Sequence, residues 1–229
     1  LDIAQALYET HKATTYPRSD SGYLPESMLA EVPTVLDSLV KTDPSLRPLI
    51  ERLDRQQRSR AWNDGNVSAH HGIIPTLEPA NLSAMNEKEL AVYRLIRAHY
   101  LAQFLPHHEF DRTVAQFSCG SQSLAAVGKQ IAVTGWREVL ATPGPDDADG
   151  EDAQRSQVLP ALHAGLSCPV GKVDLKALKT LPPKPYTQGE LIKAMKTVAK
   201  FVTDPRLKQK LRDTTGIGTE ATRANIING

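Results

Sequence analysis

The chain has 229 residues, 40% of them hydrophobic, and a formal net charge of +1 at pH 7. That length supports one large or two small cores, and no apolar run approaches the about 18 residues of a membrane span, which excludes a membrane-spanning protein. Two cysteines, Cys119 and Cys168, fit no metal-binding spacing and are too few for a disulfide framework. We therefore expect reduced thiols in a cytoplasmic protein.

An amphipathic pattern over residues 3–8 predicts a first helix, and a short polar segment follows it. The segment Thr14–Ser21 reads Thr-Thr-Tyr-Pro-Arg-Ser-Asp-Ser and neither packs nor caps a helix well. Its Tyr16 hydroxyl stands two residues from the Arg18 guanidinium. A phenol that attacks a phosphodiester forms an aryl phosphate, and a guanidinium can bind its oxygens. The segment also fits an extended residue before proline, followed by a turn.

Two helices are predicted next. A hydrophobic repeat over 36–40 predicts the first, which Pro33 must open or kink. The sequence Asp43–Ser45 is a good start for the second, which would carry five arginines: Arg47, Arg52, Arg55, Arg58 and Arg60. Such a helix offers phosphates a basic surface, or it pairs its cations with Glu51 and Asp54 as a solvated face. The sequence leaves both interpretations open.

Adjacent histidines, His70 and His71, precede Gly72. Neighbouring side chains point apart on regular backbone, and no third ligand stands near them in the sequence. The pair therefore does not indicate a metal site.

The clearest helix signal begins at Asn86, where Glu89 three residues later completes a capping box. Apolar residues follow on one face, and Pro106 lies beyond the end of the pattern. This region predicts a long amphipathic helix.

From Asp111 the hydrophobic period changes to two, which predicts an antiparallel β unit. One strand alternates over 113–118, Cys119–Gly120 forms the turn, and a second run covers Gln122–Trp136. The acidic, proline- and glycine-rich run 142–156 predicts a loop, after which the sequence returns as strands over 158–166 and 168–178. The acidic residues 146–152 lack the ligand spacing and closing glutamate of an EF-hand, so we interpret them as solvated loop.

The sequence Pro182–Pro185 ends the sheet, and helix returns with Thr187 as cap and Glu190 three residues later. Seven cations then lead toward the C-terminal end and favour a surface that faces nucleic acid: Lys193, Lys196, Lys200, Arg206, Lys208, Lys210 and Arg212. The periods together predict an α+β chain with a helical part at 1–106, an antiparallel β part at 107–182 and a second helical part at 183–229.

Three separated motifs resemble one family over nearly the whole chain. They are Ala4–Glu9 with Tyr16–Ser21, then Ala69–Thr76, then Gly216–Ala224. In this order they are similar to the type IA DNA topoisomerases, and the Pro17 and Ser19 variant is closest to the bacterial topoisomerase III branch. The resemblance implies an ATP-independent isomerase that changes DNA topology by relaxation or decatenation.

The resemblance also implies roles for the candidate catalytic residues. Tyr16 matches the nucleophile that cleaves single-stranded DNA, forms a 5′-phosphotyrosine intermediate and leaves a 3′-hydroxyl that reverses the reaction. Arg18 matches the arginine that contacts the scissile phosphate. His70 matches a histidine that holds a backbone phosphate or a neighbouring acid. Asp20 matches a family acid that orients Arg18 or contributes to DNA binding, although turn capping explains an aspartate there equally well.

The last motif resembles a loop that enters a helix and holds a DNA phosphate through amides and hydroxyls. Thr219, Thr222 and Arg223 are its candidate DNA-binding residues. Glu220 stands where the family usually has proline, which puts a negative charge near the expected phosphate. Trp136 resembles a family tryptophan at the end of a β strand, and we interpret it as a packing residue.

The resemblance implies a parent enzyme with further domains. A Toprim domain that binds Mg²⁺ is expected before Leu1, because the chain opens inside a helix pattern without an initiator methionine. We therefore expect a fragment that is inactive alone and has no cofactor or metal of its own. Its expected partners are single-stranded DNA and the remaining domains of the parent, with no membrane, in the bacterial cytoplasm at the nucleoid.

The family's domain order implies a role for each part of the chain. The residues 1–106 would form a helix-turn-helix-like domain that bears the tyrosine, 107–182 the returning half of the arch, and 183–229 the start of a helical DNA-channel domain. Two alternatives stay open. The chain is a non-catalytic single-stranded DNA-binding module in which Tyr16 stacks on a base, or an interaction fragment without DNA affinity.

Overall fold

The computed structural model describes residues 1–19, 21–67, 69–140, 158–172, 174, 177, 179–180, 182–213 and 220–228. Over these residues the chain is α+β, with α-helices, short 3₁₀ helices and one antiparallel β-hairpin. It divides into two compact units, Leu1–Cys168 and Pro169–Gly229. The predicted boundaries after residues 106 and 182 stay predictions. Among the described helices, none combines the length and the apolar character needed to cross a membrane.

The first unit begins with a helical body, by which we mean residues 1–105. Its α-helices are α1 (Asp2–Glu9), α2 (Val32–Thr42), α3 (Arg47–Ile50) and α4 (Glu87–Ala102). Short 3₁₀ helices lie at Glu26–Glu31, Pro44–Leu46, Asp64–Asn66 and Leu82–Ala84. The first two predicted helices are confirmed. Pro33 lies in the first turn of α2, where its missing N–H costs nothing, so it opens the helix.

The prediction of a helix through the arginine run is wrong. Helix α3 ends at Ile50, and turns carry the chain through residues 51–60. The Asp54 carboxylate accepts a hydrogen bond from the Gln56 amide at 2.9 Å, a local bond that competes with helical ones. The Asp54 amide donates to the carbonyl of Phe104 at 3.1 Å, which fixes this turn against the end of α4.

The capping box of α4 is confirmed. The Asn86 side chain accepts hydrogen bonds from the amides of Lys88 and Glu89 at 3.0 Å, and the Glu89 carboxylate accepts one from the Asn86 amide at 2.8 Å. Because these bonds satisfy amides that the first turn leaves unpaired, they fix where α4 begins.

The core of the helical body lies between α1, α2 and α4. Its largest fully buried side chains include Leu7, Leu36, Leu39, Tyr93, Leu101 and Phe104. The Phe104 ring meets the Tyr100 ring edge-on, with centroids 5.2 Å apart, and lies 6.2 Å from the ring of Trp62. Burial raises the pKa of Tyr93 and that of Tyr100 above the ordinary tyrosine value, because the phenolate would lose its water.

A partly buried ion pair fastens α2 to α4. The Arg97 guanidinium donates to the Asp43 carboxylate at 2.8 Å, and the same carboxylate accepts hydrogen bonds from the Ser45 hydroxyl and amide. The bond from the Ser45 hydroxyl, together with Arg97, lowers the pKa of Asp43 below its ordinary value. Asp43 thereby caps the 3₁₀ turn after α2 and holds a cation of α4.

The predicted hairpin is confirmed as β1 (Glu109–Cys119) and β2 (Gln122–Val133), paired antiparallel. The second run ends at Val133 instead of Trp136, because Gly135 has φ +54° and opens a 3₁₀ turn over Gly135–Glu138. The Trp136 amide donates to the carbonyl of Pro106 at 3.0 Å, and its side chain packs against the core of the helical body.

The strands expected over 158–166 and 168–178 are not found in the described residues of that stretch, which are 158–172, 174 and 177. Pro160 and Pro169 lack the N–H that a ladder requires. Gly165 has φ +81° and turns the chain, so that the Leu166 amide donates to the His163 carbonyl at 3.2 Å. In the described part of the chain the sheet has two strands.

The second unit contains α5 (Gln188–Lys196), α6 (Pro205–Asp213) and α7 (Glu220–Asn228), with a 3₁₀ helix at Val198–Phe201. The capping box predicted at Thr187 is confirmed: the Glu190 carboxylate accepts a hydrogen bond from the Thr187 amide at 2.7 Å. Bonds from Thr187 lower the pKa of Glu190. Asp204 caps α6 by accepting from the amides of Arg206 and Leu207 at 2.8 and 3.2 Å.

Candidate active site

The segment that carries Tyr16 runs antiparallel to the segment that follows the histidine pair. The Thr15 amide donates to the Ile74 carbonyl at 2.9 Å, and the Ile74 amide donates to the Thr15 hydroxyl at 3.0 Å. Thr14 forms a β-bridge with Pro75. The Thr76 amide also donates to the Ala13 carbonyl at 3.2 Å, so hydrogen bonds join two motifs that are distant in the sequence and bring the segment of Tyr16 near His70.

The end of α1 directs the chain into this contact. Lys12 has φ +50°, a left-handed conformation that is unusual for a residue with a Cβ. Its carbonyl accepts a hydrogen bond from the Thr76 hydroxyl at 2.8 Å. The His11 ring donates through Nε2 to the Glu89 carboxylate at 3.1 Å, since a carboxylate at neutral pH only accepts. Both contacts fix the turn that leads to Tyr16.

The Tyr16 ring has two aromatic neighbours. The His70 ring is 4.6 Å away between centroids and is tilted by 44°, and the Tyr8 ring is 5.6 Å away and nearly perpendicular, at 88°. Tyr16 itself is half-buried, whereas His70 is exposed. Of the sequence-predicted site residues, the structure therefore brings Tyr16 and His70 into direct contact.

Arg18 follows on the same segment, and its side chain is exposed. Ser19 links this segment to the histidine pair, because its hydroxyl lies 3.3 Å from the carbonyl of His70, 51 residues further along the chain, and 3.4 Å from that of Ser21. The site thus combines a tyrosine hydroxyl, an imidazole and a solvent-exposed guanidinium.

The second histidine faces its own backbone. The His71 ring donates through Nδ1 to the Gly72 carbonyl at 2.7 Å, and the Gly72 amide donates to the Tyr23 carbonyl at 2.8 Å. A Cβ on Gly72 would lie 3.4 Å from the backbone of Gly22, so the two loops are in van der Waals contact there. His71 therefore supports the loop, and His70 is the histidine that meets Tyr16.

Among the described residues there is no group of three or more His, Cys, Asp and Glu side chains that could hold a metal ion. His70 and His71 thus belong to no such group among the described residues.

The remaining candidate residues fall elsewhere. Asp20 and Thr219 lie outside the described residues. Thr222 and Arg223 lie in α7 of the second unit, where Thr222 is exposed and Arg223 is 3% exposed. Their expected roles at DNA stay predictions. The acidic run 146–152 and the glycines of the last motif also lie outside the described residues.

Sequence reasoning missed two residues that touch the candidate site. Tyr8 contacts Tyr16, and the Lys12 ammonium lies over the Tyr8 ring, 5.8 Å from its centroid. Tyr8 lies within the motif Ala4–Glu9, and Lys12 lies between that motif and the segment Thr14–Ser21. The helix pattern identifies Tyr8 only as an apolar position. The contact arises from the left-handed turn at Lys12, which no local pattern announces.

The five arginines of the predicted basic helix are exposed, although Arg47 alone lies in a helix, α3, and the other four lie in the turns after it. Arg52 forms an ion pair with Glu138 instead of Glu51 or Asp54, and Arg58 donates to the carbonyls of residues 55–57. In the second unit, α5 and α6 expose most of the predicted cations. Both basic stretches are therefore accessible to phosphate groups.

Residues 1–229 match the model of a protein family described as DNA topoisomerase. The chain is 42% identical over 231 residues to DNA topoisomerase 3 of Pasteurella multocida, with 99% of this chain and 34% of the relative covered. It is 38% identical to DNA topoisomerase 3 of Vibrio cholerae, with 100% and 34% covered, and 36% identical to that of Bacillus subtilis, with 99% and 31% covered. The chain spans about a third of the length of these curated relatives.

Proposed function

The chain belongs to the DNA topoisomerase family, and on that premise we propose that it carries the tyrosine nucleophile of a type IA, topoisomerase III-like enzyme. The proposed reaction cleaves and rejoins single-stranded DNA. One observation supports it most directly: Tyr16, next but one to an exposed arginine, contacts the ring of His70 with centroids 4.6 Å apart, and hydrogen bonds join the two distant motifs that carry these residues.

In the proposed cleavage step the Tyr16 oxygen attacks a DNA phosphorus. The bond from Tyr16 to phosphorus forms, the bond from phosphorus to the 3′-oxygen breaks, and the phenolic proton is lost while the leaving 3′-oxygen gains one. The products are a 5′-phosphotyrosine and a free 3′-hydroxyl, which reseals the strand by the reverse reaction. Because the new phosphodiester is nearly equal in energy to the old one, no ATP is required.

Arg18 and His70 would act on the phosphate. A guanidinium binds two phosphoryl oxygens at once and shares the negative charge that crowds around phosphorus during attack. The exposure of Arg18 leaves its guanidinium accessible to an incoming strand. His70, whose ring already contacts Tyr16, would hold a neighbouring backbone phosphate or an acid beside the nucleophile.

Further DNA contacts are proposed for Asp20, Thr219, Thr222 and Arg223. Of these, Thr222 is exposed on α7, where a hydroxyl can donate to phosphate. We assign residues 1–106 to a tyrosine-bearing domain, 107–182 to an arch and 183–229 to a DNA channel. We assign Mg²⁺ to a Toprim domain elsewhere in the parent, and no step above passes through it.

Strand passage through the opened gate would then relax or decatenate DNA in the bacterial cytoplasm, at the nucleoid. The partners of this chain would be single-stranded DNA and the remaining domains of its parent.

Covalent adduct formation tests the proposal. The complete natural protein that carries this chain is mixed with Mg²⁺ and single-stranded oligonucleotides labelled at either end, then denatured. We expect 3′ label on the protein, 5′ label released, and no adduct from Tyr16→Phe. The matched control is Tyr23→Phe, which removes a hydroxyl from an exposed tyrosine shortly after that segment and should leave the adduct yield unchanged.

A second candidate function rests on the same rings. Tyr8, Tyr16 and His70 form an aromatic cluster, and proteins bind single strands by stacking bases on such rings. A binding module without chemistry would retain oligonucleotide affinity in Tyr16→Phe, and the wild-type protein would form no adduct. That pair of results would replace the catalytic proposal.

A further inference from the structure

The Tyr16 ring has a second neighbour that the proposed chemistry does not use. Tyr8, in the last turn of α1, meets Tyr16 with centroids 5.6 Å apart and planes at 88°. This is the edge-to-face geometry in which the positive rim of one ring points at the negative face of the other. The contact favours one orientation of Tyr16 over the others that its side chain could adopt.

Tyr8 is itself held from two directions. Leu7, its neighbour on α1, is fully buried in the core of the helical body, so the helix cannot shift without disturbing that core. The Lys12 ammonium lies 5.8 Å from the centroid of the Tyr8 ring, within the range of a cation–π contact. A ring fixed in this way is a rigid support for the residue that packs on it.

Among the described residues, the Tyr16 ring contacts the rings of Tyr8 and His70. The segment that carries it is fixed through the backbone of Thr15 and the hydroxyl of Thr15, and neither bond restrains the Tyr16 ring. His70, the other ring in contact, is exposed on its loop. The orientation of the Tyr16 ring therefore depends on Tyr8 more than on any backbone bond of its segment.

We propose that Tyr8 is a positioning residue for the nucleophile: its ring sets the direction in which the Tyr16 hydroxyl approaches the phosphate. This inference rests on the proposed function. Attack at phosphorus requires the entering and leaving oxygens to be roughly in line, and small misplacements of a reacting group slow such reactions strongly. Tyr8 acts through Tyr16, so its aromatic ring matters and its hydroxyl does not.

The test compares Tyr8→Leu, which removes the ring, with Tyr8→Phe, which keeps it, in the complete natural protein. The rate of adduct formation is measured in a single turnover at saturating oligonucleotide with Mg²⁺, beside the oligonucleotide dissociation constant and the melting temperature. Removal of an edge-to-face ring contact of this kind should slow adduct formation roughly fivefold. We expect that loss in the rate for Tyr8→Leu, an unchanged dissociation constant, and a rate within twofold of wild type for Tyr8→Phe.

The outcomes separate this inference from the proposed function. If wild type forms the adduct and Tyr8→Leu forms it equally fast, positioning by Tyr8 is wrong and the catalytic proposal stands. A larger oligonucleotide dissociation constant with an unchanged rate of adduct formation at saturation also overturns the positioning role, because Tyr8 would then contribute to DNA binding. If wild type forms no adduct, the proposed function fails and the inference fails with it.

The test requires that the Tyr8 variant folds. Should Tyr8→Leu melt far below wild type, Tyr8→Met replaces it, since an unbranched side chain adapts to the space of the ring. A folded Tyr8→Met with the expected slow rate supports the inference. If neither variant folds, Tyr8 serves the stability of the helical body and the positioning role is overturned.

Discussion

The helical body and the hairpin belong to one unit but differ in how they treat apolar side chains. In the body, Phe104 is fully buried, together with leucines from three helices. In the hairpin, Phe110, Leu124 and Ile131 are 44%, 56% and 56% exposed. Phe110 and Ile131 are paired across the strands on one face, and Leu124 is paired with Phe117 on the other.

This difference shows where the candidate site obtains its rigidity. Tyr8, Tyr16 and His70 all lie in the helical body, whose packed core supports α1. A two-stranded hairpin alone is marginally stable in water, because it has no layer to cover its faces. The stability of the site should therefore depend on residues of the body and hardly on those of the hairpin.

The sharpest test replaces one phenylalanine in each region. We expect Phe104→Ala to lower the free energy of unfolding by about 3–5 kcal/mol, because it leaves a cavity among Trp62, Tyr100 and their neighbours. Phe110→Ala, the matched control, should cost below about 1.5 kcal/mol, since nearly half of its side chain already meets water. Urea denaturation measures the free energy of unfolding of both variants. Equal losses would show that the hairpin packs as tightly as the helical body.

The junction between the regions gives the next effect. Gly135 has φ +54°, and a Cβ there would overlap the carbonyl oxygens of Pro106 and His107. We expect Gly135→Ala to cost about 2–4 kcal/mol, from strain and from separation of the two chain segments that connect body and hairpin.

Gly120 is the matched control for that substitution. It has φ +59° at the tip of the hairpin, and a Cβ there would meet nothing within 4 Å. Gly120→Ala should therefore cost only about 1 kcal/mol, the penalty of the left-handed conformation. If Gly120→Ala lost as much stability as Gly135→Ala, the left-handed φ would explain the whole loss in both variants. The overlap with the carbonyl oxygens of Pro106 and His107 would then contribute nothing.

Ion pairs differ between the regions in the same direction. The Asp43–Arg97 pair within the body has side chains 25% and 13% exposed, whereas the Glu138–Arg52 pair beside the junction has side chains 42% and 58% exposed. Asp43→Asn should cost about 1–2 kcal/mol, because Arg97 loses a charged acceptor. Glu138→Gln should change the stability by too little to resolve.

The pH dependence of the Asp43 effect has a definite sign. Hydrogen bonds from Ser45 and the charge of Arg97 hold the pKa of Asp43 below its ordinary value of 3.8. The stabilisation is thus complete above that value and is lost as the pH falls through the lower folded-state pKa. The difference between wild type and Asp43→Asn should be constant near neutrality and shrink below about pH 4. A difference that grows on acidification would contradict it.

Local patterns predicted α1, α2, α4, α5 and both strands of the hairpin. Both capping boxes, the helix opened by Pro33 and the hairpin turn at Gly120 each depend on residues within one or two turns of chain. The arginine run was mistaken for a helix because the bond from Gln56 to Asp54 and the one from Asp54 to Phe104 outweigh its helix propensity. The second of these is tertiary and leaves no trace in a short window.

The candidate site divides in the same way. Tyr16, Arg18 and His70 were singled out from motifs, and the antiparallel contact between residues 12–16 and 73–76 brings two of them together. Tyr8 was missed because its contact with Tyr16 requires the chain to reverse at Lys12 with φ +50°, in a residue type that rarely adopts that conformation.

Removal of a helix cap should have the smallest effect on the free energy of unfolding. The two capping boxes compare a helix that packs on a core with a helix that, in the described part of the chain, does not. Asn86 opens α4, which buries Tyr93, Tyr100 and Leu101, and Thr187 opens α5, which buries no side chain fully. Asn86→Ala should lower the free energy of unfolding of the first unit by about 1 kcal/mol, because helix and core lose the cap together. Thr187→Ala removes an equivalent cap, yet α5 can fray at its first turn without exposing a core, so the global loss should stay below about 0.5 kcal/mol. Hydrogen exchange separates the two cases. In Asn86→Ala the amides of α4 should lose protection throughout the helix, whereas in Thr187→Ala the amides of α5 should lose it only in the first turn. Uniform loss along α5 would mean that the stability of this helix depends on the cap itself.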